Sequence, residues 1–256
     1  MGICKLCLQK RKLCKKSHII PKFHYKFLYG SNNKLIYLNF KKLQVRYNSE
    51  YEGNILCQGC EGKILGKLDC YAAELINGNK TVFHLKQING QKCLVLENSS
   101  NYDYSKFKLF LLSLLWRTSI SSRPFFKTIK LQPQVEEDLR LMILNNKPGK
   151  PRKYPCLIIL PPLVSTPNGG CGFIIFDMPT MSPRHEKKDE FEAYDLVIEG
   201  IHYIFIVSMP KIWNVAPSLE ANKLIMGFAS TRDQEKLLRE IMLMIKQNKD
   251  TSNVLI

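Results

Sequence analysis

The sequence predicts an α+β fold in two parts, residues 1–97 and residues 102–256. Three observations predict it. Two C-x2-C pairs, Cys4/Cys7 and Cys57/Cys60, open and close the first sixty residues, a spacing by which small modules are stapled through sulfur. Elsewhere the apolar residues switch between alternation every second residue and the i, i+3, i+4 spacing of a helix. The composition then turns polar over Glu97-Asn-Ser-Ser-Asn101, which marks the boundary between the parts.

Taken in order, residues 1–16 read as a cysteine knuckle and a turn. Ser17 to Ile20 is an extended segment interrupted by Pro21, and Lys22 to Tyr29 has the pattern of a short helix. Lys34 to Phe40 alternates as a strand. A turn at Tyr51-Glu-Gly-Asn54 leads to the second cysteine pair. A helix starts near Cys60, with Ile64, Leu65 and Leu68 on one face, and Asn77-Gly78 breaks it. Thr81 to Gln87 and Lys92 to Glu97 read as two strands joined through Asn89-Gly90, a hairpin signal.

In the second part Tyr104 to Ser121 reads as a buried helix. Another helix runs from Gln134 to Asn145, with Pro133 at its start and Glu136, Glu137 and Asp138 in its first turn. Four strands follow, Tyr154 to Leu160, Cys171 to Asp177, Tyr194 to Glu199 and Ile201 to Ser208. Between them, Met178 to Glu190 reads as a charged, proline-containing connection. A third helix spans Arg232 to Gln247.

Composition narrows the function classes. The chain has 256 residues, 45% hydrophobic and 23% charged, as expected of a globular protein. Its longest apolar run, Phe107 to Trp116, is too short to span a bilayer, and no apolar segment follows the early lysines, so a cytoplasmic location is expected. A reducing compartment suits nine cysteines, of which Cys14, Cys70, Cys93, Cys156 and Cys171 are scattered. No Ser-His-Asp arrangement or nucleotide fingerprint is visible; Gly169-Gly-Cys-Gly172 lacks the lysine and helix of a phosphate loop. His24 reads as a surface residue.

The net charge of +16 is uneven. Residues 1–60 hold 12 Lys/Arg against Glu50 and Glu52, a net of +10. Lys12, Lys15, Lys16, Lys22, Lys26, Lys41 and Lys42 are candidates for contact with a polyanion, most simply nucleic acid, DNA in preference; a solvated lysine-rich face is the bland alternative. The two C-x2-C pairs are a zinc signal, although 49 residues separate Cys7 from Cys57. A Cys4, Cys7, Cys14, His18 set also fits on spacing, but it strands Cys57 and Cys60.

Ordered as knuckle, strand with a histidine, second strand and helix at a second knuckle, the first part reads as a zinc treble clef of the ββα-metal kind. Over residues 1–75 it resembles the HNH endonuclease superfamily. The resemblance is carried by Cys4/Cys7, by Ser17-His18-Ile19-Ile20-Pro21, and by Leu56-Cys57-x2-Cys60-Glu61. It implies a structural Zn²⁺ and a divalent-metal-dependent DNA endonuclease, by family habit one that serves bacterial defence against phage. In that reading His18 is the general base, and Glu61 and Asn54 stand nearest the family's remaining site positions, with Mg²⁺ or Mn²⁺ as the catalytic ion. The chain departs from the pattern at Ser17 and Glu61, where the family has an Asp and a His or Asn. His18 also reads as a zinc ligand or a structural histidine. The alternative function is a non-catalytic, zinc-stapled nucleic-acid-binding module; a third reading is a scaffold protein whose zinc only supports folding. The second part shows no recognisable chemistry and could serve a regulatory protein partner or a second copy of the chain.

Overall fold

In a computed structural model of the chain, the described residues are 1–25, 35–39, 42–46, 51–78, 81–161, 163–165, 171–173, 180–188, 191–198, 201–209 and 218–229. Strands β1 (Gly2–Ile3) and β2 (Lys10–Arg11) pair antiparallel around the first cysteine pair. Strand β3 (Ser17–His18) is followed by a 3-10 turn at Lys22–Tyr25 and then by the hairpin of β4 (Leu35–Asn39) and β5 (Lys42–Arg46). Strand β6 (Tyr51–Glu52) returns to pair with β3, which sets Tyr51 opposite His18. A π-helical stretch, Gly59–Leu65, then runs directly into α1 (Gly66–Asn77). Gly78 ends α1 by donating its N–H to the Glu74 carbonyl at 2.9 Å; a Cβ there would lie 2.1 Å from that oxygen, so no side chain fits.

The hairpin of β7 (His84–Ile88) and β8 (Gln91–Glu97) turns at Asn89 and Gly90, whose φ values of 49° and 79° are those of the tight hairpin turn that Asn-Gly favours. Helix α2 (Tyr104–Ile120) is capped by Asp103, whose carboxylate accepts the Lys106 N–H at 3.0 Å. Every residue from Phe107 to Ile120 is buried, because α2 lies between α1, α3 (Pro133–Leu144) and the sheet. The buried Lys108 is satisfied by the Tyr154 carbonyl at 2.6 Å.

The remaining strands are β9 (Cys156–Leu160), β10 (Leu163–Ser165), β11 (Cys171–Phe173), β12 (Thr180–Lys188), β13 (Phe191–Ile198), β14 (Ile201–Ser208), β15 (Leu219–Glu220) and β16 (Lys223–Phe228). One ten-stranded sheet runs β5-β4-β12-β13-β14-β9-β16-β8-β7, with β15 added on β16. It is mixed: β12 is parallel to β4 and β16 to β9, and the other pairs are antiparallel. The molecule is therefore α+β, as the sequence predicts.

Three placements differ from the sequence reading. The charged stretch read as a connection is strand β12, paired along its length with β13. Its partner on the other side, β4, reaches only Thr180 and Met181, so Pro183 sits where one edge of the strand needs no ladder among the described residues. The hairpin attached by sequence to the first part is hydrogen-bonded through β8 to β16 of the second. His24 is also not on the surface; it is buried against Phe23, Phe110 and Tyr203. The helix expected over Arg232 to Gln247, the 26–29 end of the first short helix and the 169–170 turn lie outside the described residues.

A single cluster of buried side chains runs from Cys4 and Leu6 through Phe107 and Trp116 to Leu224, so the cysteine module and the helices share one core. Polar ties cross the same seam. Lys5 Nζ donates to the Ile120 carbonyl at 2.7 Å, at the end of α2 where helix carbonyls lack partners. The Glu52 carboxylate accepts from the Ser121 hydroxyl (2.7 Å), the Ser122 hydroxyl (2.7 Å) and the Ser122 N–H (3.0 Å). Partial burial works against the charge of Glu52, but these three donors and Lys5 outweigh it and hold its pKa below the usual carboxylate value. A depressed folded pKa gives stability that is present above the unfolded value and is lost as pH falls through the folded one. Glu52→Ala should therefore cost about 1–2 kcal/mol at pH 7, at the modest end because the group is partly solvated. The deficit relative to wild type should shrink below about pH 4, read from paired denaturant melts. A deficit that stays constant into acid would show that the carboxylate charge is not what ties the seam.

Candidate metal centre and the histidine beside it

The first cysteine pair is shaped by a tight turn in which the Leu8 N–H reaches the Cys4 carbonyl at 2.8 Å and Leu8 takes a left-handed φ of 57°. The second is brought to it by the bridge between Leu13 and Cys57, while Cys60 lies in the first turn of the π-helical stretch. As a result the sulfurs of Cys4, Cys7, Cys57 and Cys60 all lie within 4.8 Å of one another, with Cys7 and Cys57 at 4.0 Å. Metal–sulfur bonds of about 2.3 Å in a tetrahedron place sulfurs about 3.8 Å apart, so the cluster needs only a small contraction to close on an ion.

The electrostatics fit the same use. Burial opposes ionisation of Cys4, yet the backbone N–H groups of Cys7, Cys57 and Leu6 bring its thiol down to about 7; the Cys57 N–H lies 3.3 Å from its sulfur. Cys60 moves the opposite way, pushed far up by burial first and then by the neighbouring sulfurs. Four crowded thiols cannot all ionise against one another, and a divalent cation removes that conflict. The donor set fits a structural metal such as zinc. Cys14 stands outside the cluster, its thiol raised by burial and then by Glu61, Cys57 and Cys4. The Cys4, Cys7, Cys14, His18 grouping is thus not the one that converges among the described residues.

His18 lies beside this centre, half-buried on β3. Burial lowers its basicity first; Asp69 raises it, and Arg117, Lys22 and Lys16 lower it further. The net shift is downward, so the imidazole is neutral at pH 7 and able to accept a proton. Glu61, on the helix following Cys60, has its pKa raised mainly by burial, against the opposing pull of Arg117, the Ser17 hydroxyl and the His18 N–H. Its Oε2 is buried without a hydrogen-bond partner.

Two residues of this site carry no motif. Asp69 sits eight positions beyond Glu61 on α1, and its carboxylate is held at 2.8 and 3.0 Å by both terminal nitrogens of Arg117, which is 1% exposed on α2. The remaining Arg117 donors reach the Ser113 carbonyl and hydroxyl and, at 3.5 Å, the His18 carbonyl. The available signal is an arginine directly after the mainly apolar run Phe107 to Trp116, a setting that requires a buried acceptor set.

Asn54 occupies a left-handed turn with φ 62°, is exposed, and donates its backbone N–H to the Cys14 carbonyl at 2.9 Å. Lys12, Lys15, Lys16 and Lys22 are exposed, and Lys16 lies over the Tyr51 ring at 4.8 Å from its centroid. Arg123 approaches the same ring at 5.7 Å. Lys26 and Lys41 lie outside the described residues, and Lys42 is described only as backbone in β5. Glu74 is exposed to solvent. Among the described residues no helix is long and apolar enough to cross a membrane. Comparisons with protein-family models, with curated proteins and with solved structures return no match.

Proposed function

We propose that the chain is a divalent-metal-dependent DNA endonuclease of the HNH type, built on a treble clef whose four cysteines hold zinc. One observation carries this reading: a half-buried histidine whose imidazole is neutral, and whose backbone N–H meets a carboxylate with an unpartnered buried oxygen, lies among exposed lysines. His18 takes a proton from water at its imidazole, which its lowered pKa permits at neutral pH. Lys16 and Lys22 act on His18 electrostatically and draw the phosphate backbone to it. The free oxygen of Glu61 is the residue group that would hold Mg²⁺ or Mn²⁺, which supplies charge stabilisation at the scissile phosphate when bound.

The test is plasmid nicking by wild type and His18→Ala with Mg²⁺, with Mn²⁺ and with EDTA, alongside zinc analysis. Cleavage should require the added ion and fall at least about 100-fold in the variant, a general base being worth about 10²–10⁴. Zinc content should not change. Because the His18 pKa is lowered, the acid limb of the rate should lie below the ordinary histidine value and not at it. Residual cleavage by His18→Ala at the wild-type rate would remove His18 from the chemistry.

A second reading, the binding-only module, is favoured by one observation: Asp69 is occupied by Arg117, and Asn54 serves a turn, which leaves Glu61 as the one hard ligand of the site among the described residues. It predicts salt-sensitive DNA binding with no cleavage under any ion.

A further inference from the structure

The guanidinium of Arg140, on α3, is placed on the first cysteine knuckle from outside. Arg140 is 8% exposed, and its Nη1 donates to the carbonyl of Leu6 at 2.6 Å. Leu6 is fully buried and lies inside the Cys4-x2-Cys7 turn. The peptide group that begins with this carbonyl ends in the N–H of Cys7, one of the four cysteines of the cluster. One peptide thus has a cation at its oxygen and a cluster cysteine at its nitrogen. A cation on the oxygen polarises that peptide toward its nitrogen end.

The guanidinium is aimed by Glu137, one turn earlier on α3, which accepts from Nε at 2.7 Å and from Nη2 at 2.6 Å. This fork fixes the plane of the group and leaves Nη1 for the knuckle. The chemistry gives it a purpose. Four thiolates around a divalent ion carry two surplus negative charges, and buried charge needs compensation. Backbone N–H groups supply part of it; the lysine of the knuckle itself, Lys5, does not, since its Nζ turns away to the Ile120 carbonyl.

We infer that Arg140 is a positioning residue of the four-cysteine centre, an outer cation held on the Leu6–Cys7 peptide that offsets the negative charge of the sulfurs around the metal and so raises the affinity for it. The inference rests on that centre holding a divalent ion, and it is independent of whether the chain cleaves DNA.

The experiment measures Zn²⁺ affinity of the full chain by competition with a chromophoric chelator, with Co²⁺ absorption as a second readout. Arg140→Met should bind Zn²⁺ about 10- to 100-fold more weakly, the usual effect of losing an outer partner of a metal ligand. At saturating Co²⁺ its thiolate-to-cobalt bands should still report four sulfurs. Arg140→Lys keeps a cation without the fork and should lose less, which guards against a Met variant that fails to fold. Lys5→Met removes another knuckle-to-helix tether and should stay within about twofold of wild type, since it touches no ligand peptide. Arg140→Lys and Arg140→Met both within twofold of wild type would overturn the inference. So would an equal loss in Lys5→Met, which would make tethering the cause. A wild type that binds no Zn²⁺ would overturn the centre itself, and Arg140 with it.

Discussion

With a metal held by the four cysteines, as proposed, stripping it should unfold more than the cysteine module. With a strong chelator, or in Cys57→Ser, the thermal transition of the whole chain should fall by well over 10 °C, and the buried Trp116 should move into water. The magnitude follows from two scales. Structural zinc in small modules contributes about 10–16 kcal/mol of apparent binding energy at neutral pH. A domain's whole stability is about 5–15 kcal/mol. The spread of the effect follows from the packing: Cys4, Leu6, Cys57 and Cys60 belong to the same buried cluster as Phe107, Trp116 and Phe126. Lys5, Glu52, Arg117 and Arg140 tie the module to α2, its following turn and α3. Without the ion, four crowded thiols lose their common partner and the seam loses one of its two walls. The check is circular dichroism with tryptophan emission in a Trp213→Phe background, metal content being measured in parallel. Loss of the metal with an unchanged melt and unshifted emission would show that the module is an appendage.

The second large effect is at Asp69. Asp69→Ala leaves the Arg117 guanidinium, 2% exposed as a side chain, without its counter-charge inside the core. Breaking a buried pair from one side costs about 3–5 kcal/mol, because the remaining charge is neither solvated nor paired. The Ser113 and His18 carbonyls would still accept from it, but they carry no compensating charge. Replacing both partners is a different matter. Asp69→Ala combined with Arg117→Met removes the stranded charge, and the double variant should be more stable than Asp69→Ala alone. Urea midpoints for the four members of this cycle decide it. A cost below about 1 kcal/mol for Asp69→Ala, or no recovery in the double variant, would mean that water reaches the pair.

Several elements were legible in advance for local reasons. Helices α2 and α3 begin where a capping carboxylate and a first-turn proline place them, and both signals act within a few residues. The β7–β8 hairpin follows from Asn89-Gly90, since few other pairs tolerate two consecutive positive φ values. Spacing admitted both the two cysteine pairs and a Cys4, Cys7, Cys14, His18 set, the second at the cost of stranding Cys57 and Cys60. Strand β12 was not legible, because its charged and proline-bearing residues are those of a connection until a neighbouring strand supplies the ladder.

By itself the sequence determined the α+β class, the two cysteine pairs, the histidine between them and the excess of lysine and arginine in the first sixty residues. Each depends on residue type and short-range spacing. Only the tertiary structure decided that 49 residues between Cys7 and Cys57 close on one cluster and that the hairpin of the first part extends the sheet of the second. It also decided that Asp69 and Arg117, forty-eight positions apart, meet behind His18. Those choices belong to buried charge and shared core, and a charge sunk in an apolar helix specifies that it needs a partner without specifying which residue the fold will bring to it.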